Sequence, residues 1–165
     1  MSKIAEILFA SLRSALFGAR VDVEAYAALS AEEWQRLFRM SAKQGVLAIV
    51  YDVVSQLPKE CQPPRQINLQ WALSVEAIEN RHELQRKTSA ILAELWFESG
   101  LQTIVMKGLA AGTYYPKPQH RECGDLDCFL CGDYERGNQL AEAFGAKVER
   151  DFYKHSHIEY RQLLV

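Results

Sequence analysis

Two aspartates, Asp125 and Asp127, stand one residue apart in a run, Arg121 to Leu130, that has the pattern of a β-strand. Alternate side chains of a strand point to the same face, so their Cα atoms lie about 6–7 Å apart and both carboxylates project together. Two apposed carboxylates repel each other unless a cation lies between them. Mg²⁺ binds one or two carboxylates together with substrate phosphates. The spacing therefore predicts a magnesium site, which Mn²⁺ can also occupy.

Two other features of the sequence favour phosphate binding. Lys107 and Gly108 stand where a short apolar strand, residues 101–106, meets a small-residue helix, residues 109–115. A helix N-terminus offers unpaired amides to a phosphate, Gly permits close approach of the backbone, and Lys adds a point charge. Arg121, four residues before Asp125, is placed to pair with a triphosphate or to orient a carboxylate. Each feature alone is common, whereas their order on one strand–helix–loop–strand frame is more specific.

This order of motifs resembles the nucleotidyltransferase superfamily with the DNA polymerase β-like fold. The match is closer to an uncharacterised bacterial nucleotidyltransferase family, in which Lys-Gly is followed by Tyr-Pro, Arg and Gly-Asp-x-Asp. Here these are Lys107-Gly108, Tyr115-Pro116, Arg121 and Gly124 to Asp127. The helix-rich region before Lys-Gly is also similar. Nucleotidyltransferase-type toxins of toxin–antitoxin systems have a similar layout and stay an alternative.

The resemblance implies roles for individual residues. Asp125 and Asp127 would be catalytic metal ligands, and the phosphate-binding group would comprise Lys107, Gly108, Arg121 and Gly124. The interval from Gly108 to Asp125 is longer than in relatives with Gly-Ser, so the metal site is the firmer part of the expectation.

The superfamily also uses a third carboxylate on a later strand as general base. Glu159 is the candidate in frame, but the position typical of relatives falls just beyond Val165. We therefore expect a chain truncated at its C-terminus and inactive in transfer as it stands.

Composition limits the class of protein. A net charge of −2 does not indicate a nucleic-acid-binding surface, because nucleic acid favours a basic face. No apolar run approaches the ~20 residues of a membrane span. The stripe Ile4, Ile7, Leu8 and Leu12 favours an ordinary amphipathic helix over a targeting segment. Small buried thiols, which we expect for the four cysteines including Cys61, indicate a reducing compartment and therefore a cytoplasmic protein.

The pattern along the chain predicts a mixed α/β or α+β fold with two regions. Residues 1–100 form a helical N-terminal region, including a capping box at Ser30 and Glu33 and a long helix over 65–99. Residues 46–57 have helical spacing but enough β-branched residues for a strand. Residues 101–165 form an incomplete nucleotidyltransferase-like core with a small mixed sheet, in which Asp133 caps a helix and residues 146–151 and 154–165 are strands.

The cysteines and histidines favour simpler interpretations than a metal site. Cys123, Cys128 and Cys131 have a spacing found in one class of iron–sulfur protein, but strand parity separates the first from the second, so we expect buried thiols. His155 and His157 share a strand face, with no third ligand identified nearby. The charges from Glu79 to Lys87 indicate a solvated helix face.

Two functions follow from the motifs. The first is Mg²⁺-dependent transfer of a nucleoside monophosphate from an NTP to a hydroxyl of a small molecule, protein or RNA. The second is a non-catalytic module that binds nucleotide or a protein partner. The sequence specifies neither the acceptor nor the oligomeric state. The aspartates are also compatible with a solvated edge strand, and Lys107 with an ordinary surface lysine.

Overall fold

The computed structural model describes residues 2–150, 155–160 and 163–164. The α-helices of this part of the chain are α1 (Lys3–Phe17), α2 (Val23–Ala27), α3 (Ala31–Lys43), α4 (Leu47–Val54), α5 (Arg65–Glu98), α6 (Gly108–Gly112) and α7 (Tyr134–Ala143). Its strands are β1 (Ile104–Met106), β2 (Asp127–Phe129), β3 (Lys147–Glu149), β4 (His157–Tyr160) and β5 (Leu163–Leu164). Two 3₁₀ turns cover Lys59–Cys61 and Pro118–His120. The predicted mixture of a helical N-terminal region and a small α/β core is confirmed.

The contacts divide the chain into two compact units. The first comprises Met1–Asn80 and Tyr115–Glu122, and the second comprises Arg81–Tyr114 and Cys123–Val165. The division falls within α5, whereas the sequence suggested one at residue 100. The loop 115–122 belongs with the helices although it lies, along the chain, between Lys107-Gly108 and the aspartates.

Local signals in the sequence set the ends of the first helices. Ser30 Oγ accepts from the Glu33 amide at 3.2 Å, and the Glu33 carboxylate accepts from the Ser30 amide at 2.9 Å, so the predicted capping box starts α3. α1 ends where Gly18 takes a left-handed conformation with φ 69°. Residues 46–57, for which a strand was the alternative, contain helix α4.

The first unit is built around a cluster of aromatic rings. Trp71 is fully buried, and its ring lies 5.5 Å from Phe38, 5.9 Å from Tyr51 and 6.4 Å from Trp34, measured between centroids. Its indole N–H donates to the Leu47 carbonyl oxygen at 3.1 Å. This bond satisfies the polar atom of a residue that is otherwise apolar, so α5 and α4 are fixed against each other.

The long helix α5 confirms the predicted length. Leu69, Leu73 and Leu84 are 58%, 57% and 40% exposed. The residues of α5 that are buried are Ile67, Trp71, Val75, Gln85, Thr88, Leu92 and Trp96. The buried stripe of α5 therefore contains two tryptophans, three aliphatic residues and two polar residues.

The second unit holds two antiparallel sheets in the described residues. β1 pairs with β2, and β3, β4 and β5 form the other sheet in that order. The predicted single mixed sheet is thus replaced by two, and each described strand pair is antiparallel. The predicted strand over 154–165 is divided into β4 and β5, and residues 151–154 lie outside the described part.

A small core supports both sheets. Trp96 from α5 is 1% exposed, and its indole N–H donates to the Gly137 carbonyl oxygen of α7 at 3.1 Å. Asp133 caps α7 as predicted, accepting from the Arg136 amide at 3.3 Å. Buried around Trp96 are Leu92, Leu101, Leu130, Ala141, Ala146, Ile158 and Tyr160. None of the helices in the described ranges has the length and apolar character needed to cross a bilayer.

Candidate nucleotide and metal site

The pairing of β1 with β2 brings the two predicted motifs together in the second unit. The strands are antiparallel, and Met106 lies opposite Asp127. Lys107 follows Met106 directly, so the register places it at the same end of the sheet as the aspartates. Its ammonium Nζ lies 3.4 Å from Asp127 Oδ1. Two motifs that are twenty residues apart in the sequence therefore meet in one place.

The aspartates lie at the start of β2 rather than in its middle. Asp125 occupies a bend and is exposed, Leu126 is only 2% exposed, and the Asp127 side chain, on the first residue of β2, is 29% exposed. Burial thus alternates along the segment as it does along a strand, with Leu126 turned into the unit. Both carboxylates remain accessible to a ligand from solvent, and Asp127 is the more sheltered of the two.

Lys107 has an uncommon backbone conformation. It precedes α6 with φ 43° and ψ −131°, a region that favours glycine, and its side chain is 75% exposed. A residue with a side chain in such a region costs on the order of 1–3 kcal/mol, and strain of this kind concentrates at functional sites. The neighbouring helix α6 has five residues. The predicted phosphate contact therefore depends on the Lys107 ammonium and nearby amides, because so short a helix adds little dipole.

Gly108 is required by the close approach of the segment before β2. A Cβ atom at this position would lie 2.6 Å from Cys123 Sγ and 3.2 Å from the Asp125 carbonyl oxygen. The Cys123 thiol donates to that same oxygen at 2.7 Å. Gly108 and Cys123 together hold the backbone of Asp125 next to Lys107.

Gln85 is a supporting residue that the sequence did not reveal. The side-chain amide of Gln85, 1% exposed on α5, donates to the Cys123 carbonyl oxygen at 3.0 Å. The interpretation of residues 79–87 as a solvated face is therefore wrong at this position. An uncharged Gln among charged neighbours was the available signal, and it is a weak one.

The cysteines do not form a metal cluster in the described part of the chain, where no group of three or more His, Cys, Asp or Glu side chains is arranged for a metal ion. Burial, followed by the charge of Asp127, raises the pKa of the Cys128 thiol to about 11, so this cysteine is protonated at neutral pH. Cys61 is buried as expected, but Cys131 is exposed, so the prediction of buried thiols is wrong there.

Arg121, Gly124 and Glu159 are the remaining candidates from the sequence. Arg121 belongs to the first unit, so its pairing with a phosphate stays a prediction. Gly124 is exposed, with no atom within 4 Å of a Cβ placed on it. Glu159 is exposed on β4, in the other sheet, where it lies opposite Lys147 and Leu164.

A comparison with family models decides the class of the protein. Residues 30–165 match the model of a family described as "Uncharacterised nucleotidyltransferase". The chain belongs to this nucleotidyltransferase family. The match covers both units and includes Lys107, Gly108, Arg121 and the segment Gly124 to Asp127. Neither the curated proteins nor the solved structures contain a significant match to this nucleotidyltransferase.

The donor set of the site fits a hard cation. Asp125 and Asp127 offer carboxylate oxygens, the ligands that Mg²⁺ prefers, and both side chains are reachable from solvent. The Lys107 ammonium already lies against one of them, so positive charge is favoured at this position. With two protein ligands, the remaining positions of an octahedral Mg²⁺ would be left to water and phosphate oxygens.

Proposed function

We propose that this nucleotidyltransferase binds an NTP with Mg²⁺ through Asp125, Asp127 and Lys107, for transfer of the nucleoside monophosphate to a hydroxyl acceptor. The observation that supports the proposal is the β1–β2 register, which sets Met106 opposite Asp127 and places the Lys107 ammonium 3.4 Å from Asp127. A cation-binding pair and a phosphate-binding cation thereby lie side by side, as transfer from a triphosphate requires. Membership in the nucleotidyltransferase family supports the same reaction class.

The side chains have distinct roles in this proposal. Asp125 and Asp127 would hold Mg²⁺, or Mn²⁺ in its place. The metal, when bound, would neutralise phosphate charge and help to activate the attacking hydroxyl. Lys107 has a long, exposed side chain, so its ammonium can turn from Asp127 towards a phosphate oxygen once the carboxylates are engaged. Close packing at Gly108 keeps Asp125 in position, so these residues act by orientation and electrostatics.

The general base is the missing part of the proposal. The described residues hold no third carboxylate grouped with Asp125 and Asp127, and Glu159 lies in the other sheet. We therefore propose that Asp125, Asp127 and Lys107 bind Mg²⁺ and NTP, and we assign no residue to the general base. A nucleotide-binding module without catalysis is the second candidate, favoured by the same absence of a third carboxylate.

Thermal stabilisation tests the binding site. The melting temperature is measured with ATP, GTP, CTP or UTP, with Mg²⁺ and again with EDTA, since a ligand bound to the folded state raises it. We expect a rise that requires both metal and nucleotide, and its loss in Asp125→Asn and Asp127→Asn. Glu159→Gln is the matched control, because it removes an exposed carboxylate from the other sheet. An unchanged rise in the Asn variants would show that the metal site is elsewhere.

Transfer of label then separates the two candidate functions. The chain is incubated with α-labelled NTP, Mg²⁺ and a mixture of acceptors, and pyrophosphate release is followed in parallel. Labelled acceptor together with pyrophosphate supports nucleotidyl transfer. Nucleotide binding without labelled product or pyrophosphate would favour the non-catalytic module.

A further inference from the structure

His120 is the centre of a second group of charged side chains, in the first unit. It ends the 3₁₀ turn Pro118–His120 and is only 4% exposed. Its Nδ1 lies 2.9 Å from Asp52 Oδ2 on α4, and its Nε2 lies 2.9 Å from Glu79 Oε1 on α5. One imidazole therefore joins the 115–122 segment to two different helices.

The chemistry of these two contacts requires a proton on each ring nitrogen. An ionised carboxylate accepts hydrogen bonds and cannot donate them, whereas a neutral imidazole has one N–H and one lone pair. A neutral His120 would therefore satisfy one carboxylate and turn a lone pair towards the other. The imidazolium donates to both, so the geometry matches the charged form.

The surrounding charges support that form. Lys117, on the same segment, forms an ion pair with Asp52 Oδ1. In the described contacts, the charged groups around His120 are Asp52 on α4, Glu79 on α5 and Lys117 on the segment itself. A small cavity beside His120 is lined by the uncharged residues Ala15, Leu16 and Ile49. Two carboxylates thus face two cations when His120 is protonated.

The pKa directions agree with this geometry. The hydrogen bond to Asp52 raises the pKa of His120 above its ordinary value of 6.5, against the opposing effect of burial, and Glu79 adds to the rise. Burial disfavours the Asp52 carboxylate, but the bonds from His120 and Lys117 outweigh it and lower the pKa of Asp52.

We propose that protonated His120 is a pH-sensitive latch that fastens the 115–122 segment, which carries Arg121, to helices α4 and α5. This segment lies between Gly108 and Asp125 in the sequence but belongs to the first unit. Its attachment to the helices is independent of whether the aspartates bind nucleotide. The latch therefore gives the segment a structural role of its own.

The directions of the pKa shifts of His120 and Asp52 give the pH range in which the latch is closed. A group whose pKa is raised by folding stabilises the folded state fully below its unfolded pKa, and loses that contribution as pH rises through the folded pKa. The latch is therefore closed at pH 6 and opens as the solution becomes alkaline. Folding lowers the pKa of Asp52, so its contribution to stability is present above its unfolded pKa and is lost only in acid.

Trypsin provides a direct test, because opening the segment exposes the Arg121–Glu122 bond. The cleavage rate there is divided by the rate after Arg20, an exposed residue between α1 and α2, so that the enzyme's own pH dependence cancels. For the whole chain we expect this ratio to rise several-fold between pH 6 and pH 9. His120→Gln, with a neutral side chain, should show a high ratio at every pH, and so should Asp52→Asn.

His82 provides the matched control. It lies on α5 outside this network, and burial lowers its pKa. His82→Gln should keep the pH dependence of the wild-type ratio. A ratio that is flat with pH in the wild-type chain, or equal in wild type and His120→Gln, would contradict the latch.

A second measurement is made on the wild-type chain, so it does not require a variant to fold. NMR titration of the four histidines, assigned by through-bond correlation, follows each imidazole with pH. We expect the pKa of His120 to lie above 6.5, and to fall in Glu79→Gln. A His120 that titrates below the ordinary value would overturn the proposal.

Discussion

Both units of this nucleotidyltransferase contain carboxylates beside a cation, but they differ in how far solvent reaches them. In the first unit His120 is 4% exposed between Asp52 and Glu79. In the second, the Lys107 side chain is 75% exposed and that of Asp127 29%. In the buried group the charges pair with one another, and these contacts join the 115–122 segment to helices α4 and α5. In the exposed group Lys107 Nζ lies 3.4 Å from Asp127 Oδ1, and both carboxylates are reachable from solvent, which is the arrangement that a ligand site needs.

The hydrophobic cores of the two units also differ, in how densely they are packed. Trp71 in the first unit is packed against three aromatic rings, while Trp96 in the second supports two small sheets and α7. The first unit thus places its apolar residues in one dense helical cluster. The second has a smaller cluster of described apolar residues, which packs beneath short strands.

The sharpest test of this contrast compares the two tryptophans. Removing a buried Trp costs about 3–5 kcal/mol of unfolding free energy. In Trp71→Ala we expect hydrogen exchange to accelerate in α3, α4 and the first half of α5. In Trp96→Ala it should accelerate in α7 and the strands, and the stabilisation by NTP and Mg²⁺ should disappear. Hydrogen exchange read by mass spectrometry resolves the two units.

Phe variants at the same positions serve as controls, since they retain one aromatic ring but lose the indole N–H bond and part of the buried volume. They should show the same pattern with a smaller effect. Equal acceleration of hydrogen exchange throughout the chain in both Ala variants would show that the two units unfold together. The difference between their cores would then not give them separate stabilities.

The sequence predicted the elements of each unit better than the contacts between them. Ser30 and Glu33 identified the start of α3, because a capping box depends on neighbours in the chain. The aspartates and Lys107 were identified from residue type and order, and the register confirmed that they meet. Features of this kind, which depend on residue type and on neighbours in the chain, can be predicted from one sequence.

Residues whose role depends on distant partners were missed. His120 takes its importance from Asp52 and Glu79, which lie 68 and 41 residues away. Gln85 is buried because Cys123 offers a carbonyl oxygen, and its lack of charge among charged neighbours is only a weak sign of this. Leu69 and Leu73 of α5 are apolar yet more than half exposed, because tertiary packing covers the face of Trp71 and Val75 instead. Long-range pairing decided each of these cases.

A substitution at Gly108 tests how closely the second unit must pack for its site to form. Gly108→Ala places a methyl group against Cys123 Sγ and the Asp125 carbonyl oxygen, and overpacking of this kind costs about 1–3 kcal/mol. We expect weaker stabilisation by NTP with Mg²⁺, because the Asp125 backbone must move. Melting curves with and without ligand give both effects.

Two further variants interpret that result. Gly124→Ala is the control for stability, since no atom lies within 4 Å of the added Cβ. The double variant Gly108→Ala with Cys123→Ala removes the nearer obstacle and should recover part of the lost stability. A Gly108→Ala protein that binds nucleotide as tightly as the wild type would mean that the position of Asp125 does not depend on this contact.

The smallest expected effect separates strain from charge at Lys107. Lys107→Ala and Lys107→Gly both remove the ammonium, but only glycine accepts φ 43° without steric cost. The Gly variant should be more stable than the Ala variant by about 1 kcal/mol, the scale of the penalty for a side chain in left-handed backbone. Both should lose nucleotide stabilisation to the same degree, because both lack the phosphate-binding cation. If the Gly variant instead binds nucleotide better than the Ala variant, relaxation of the backbone contributes to binding, and Lys107 serves the site through its conformation as well as its charge.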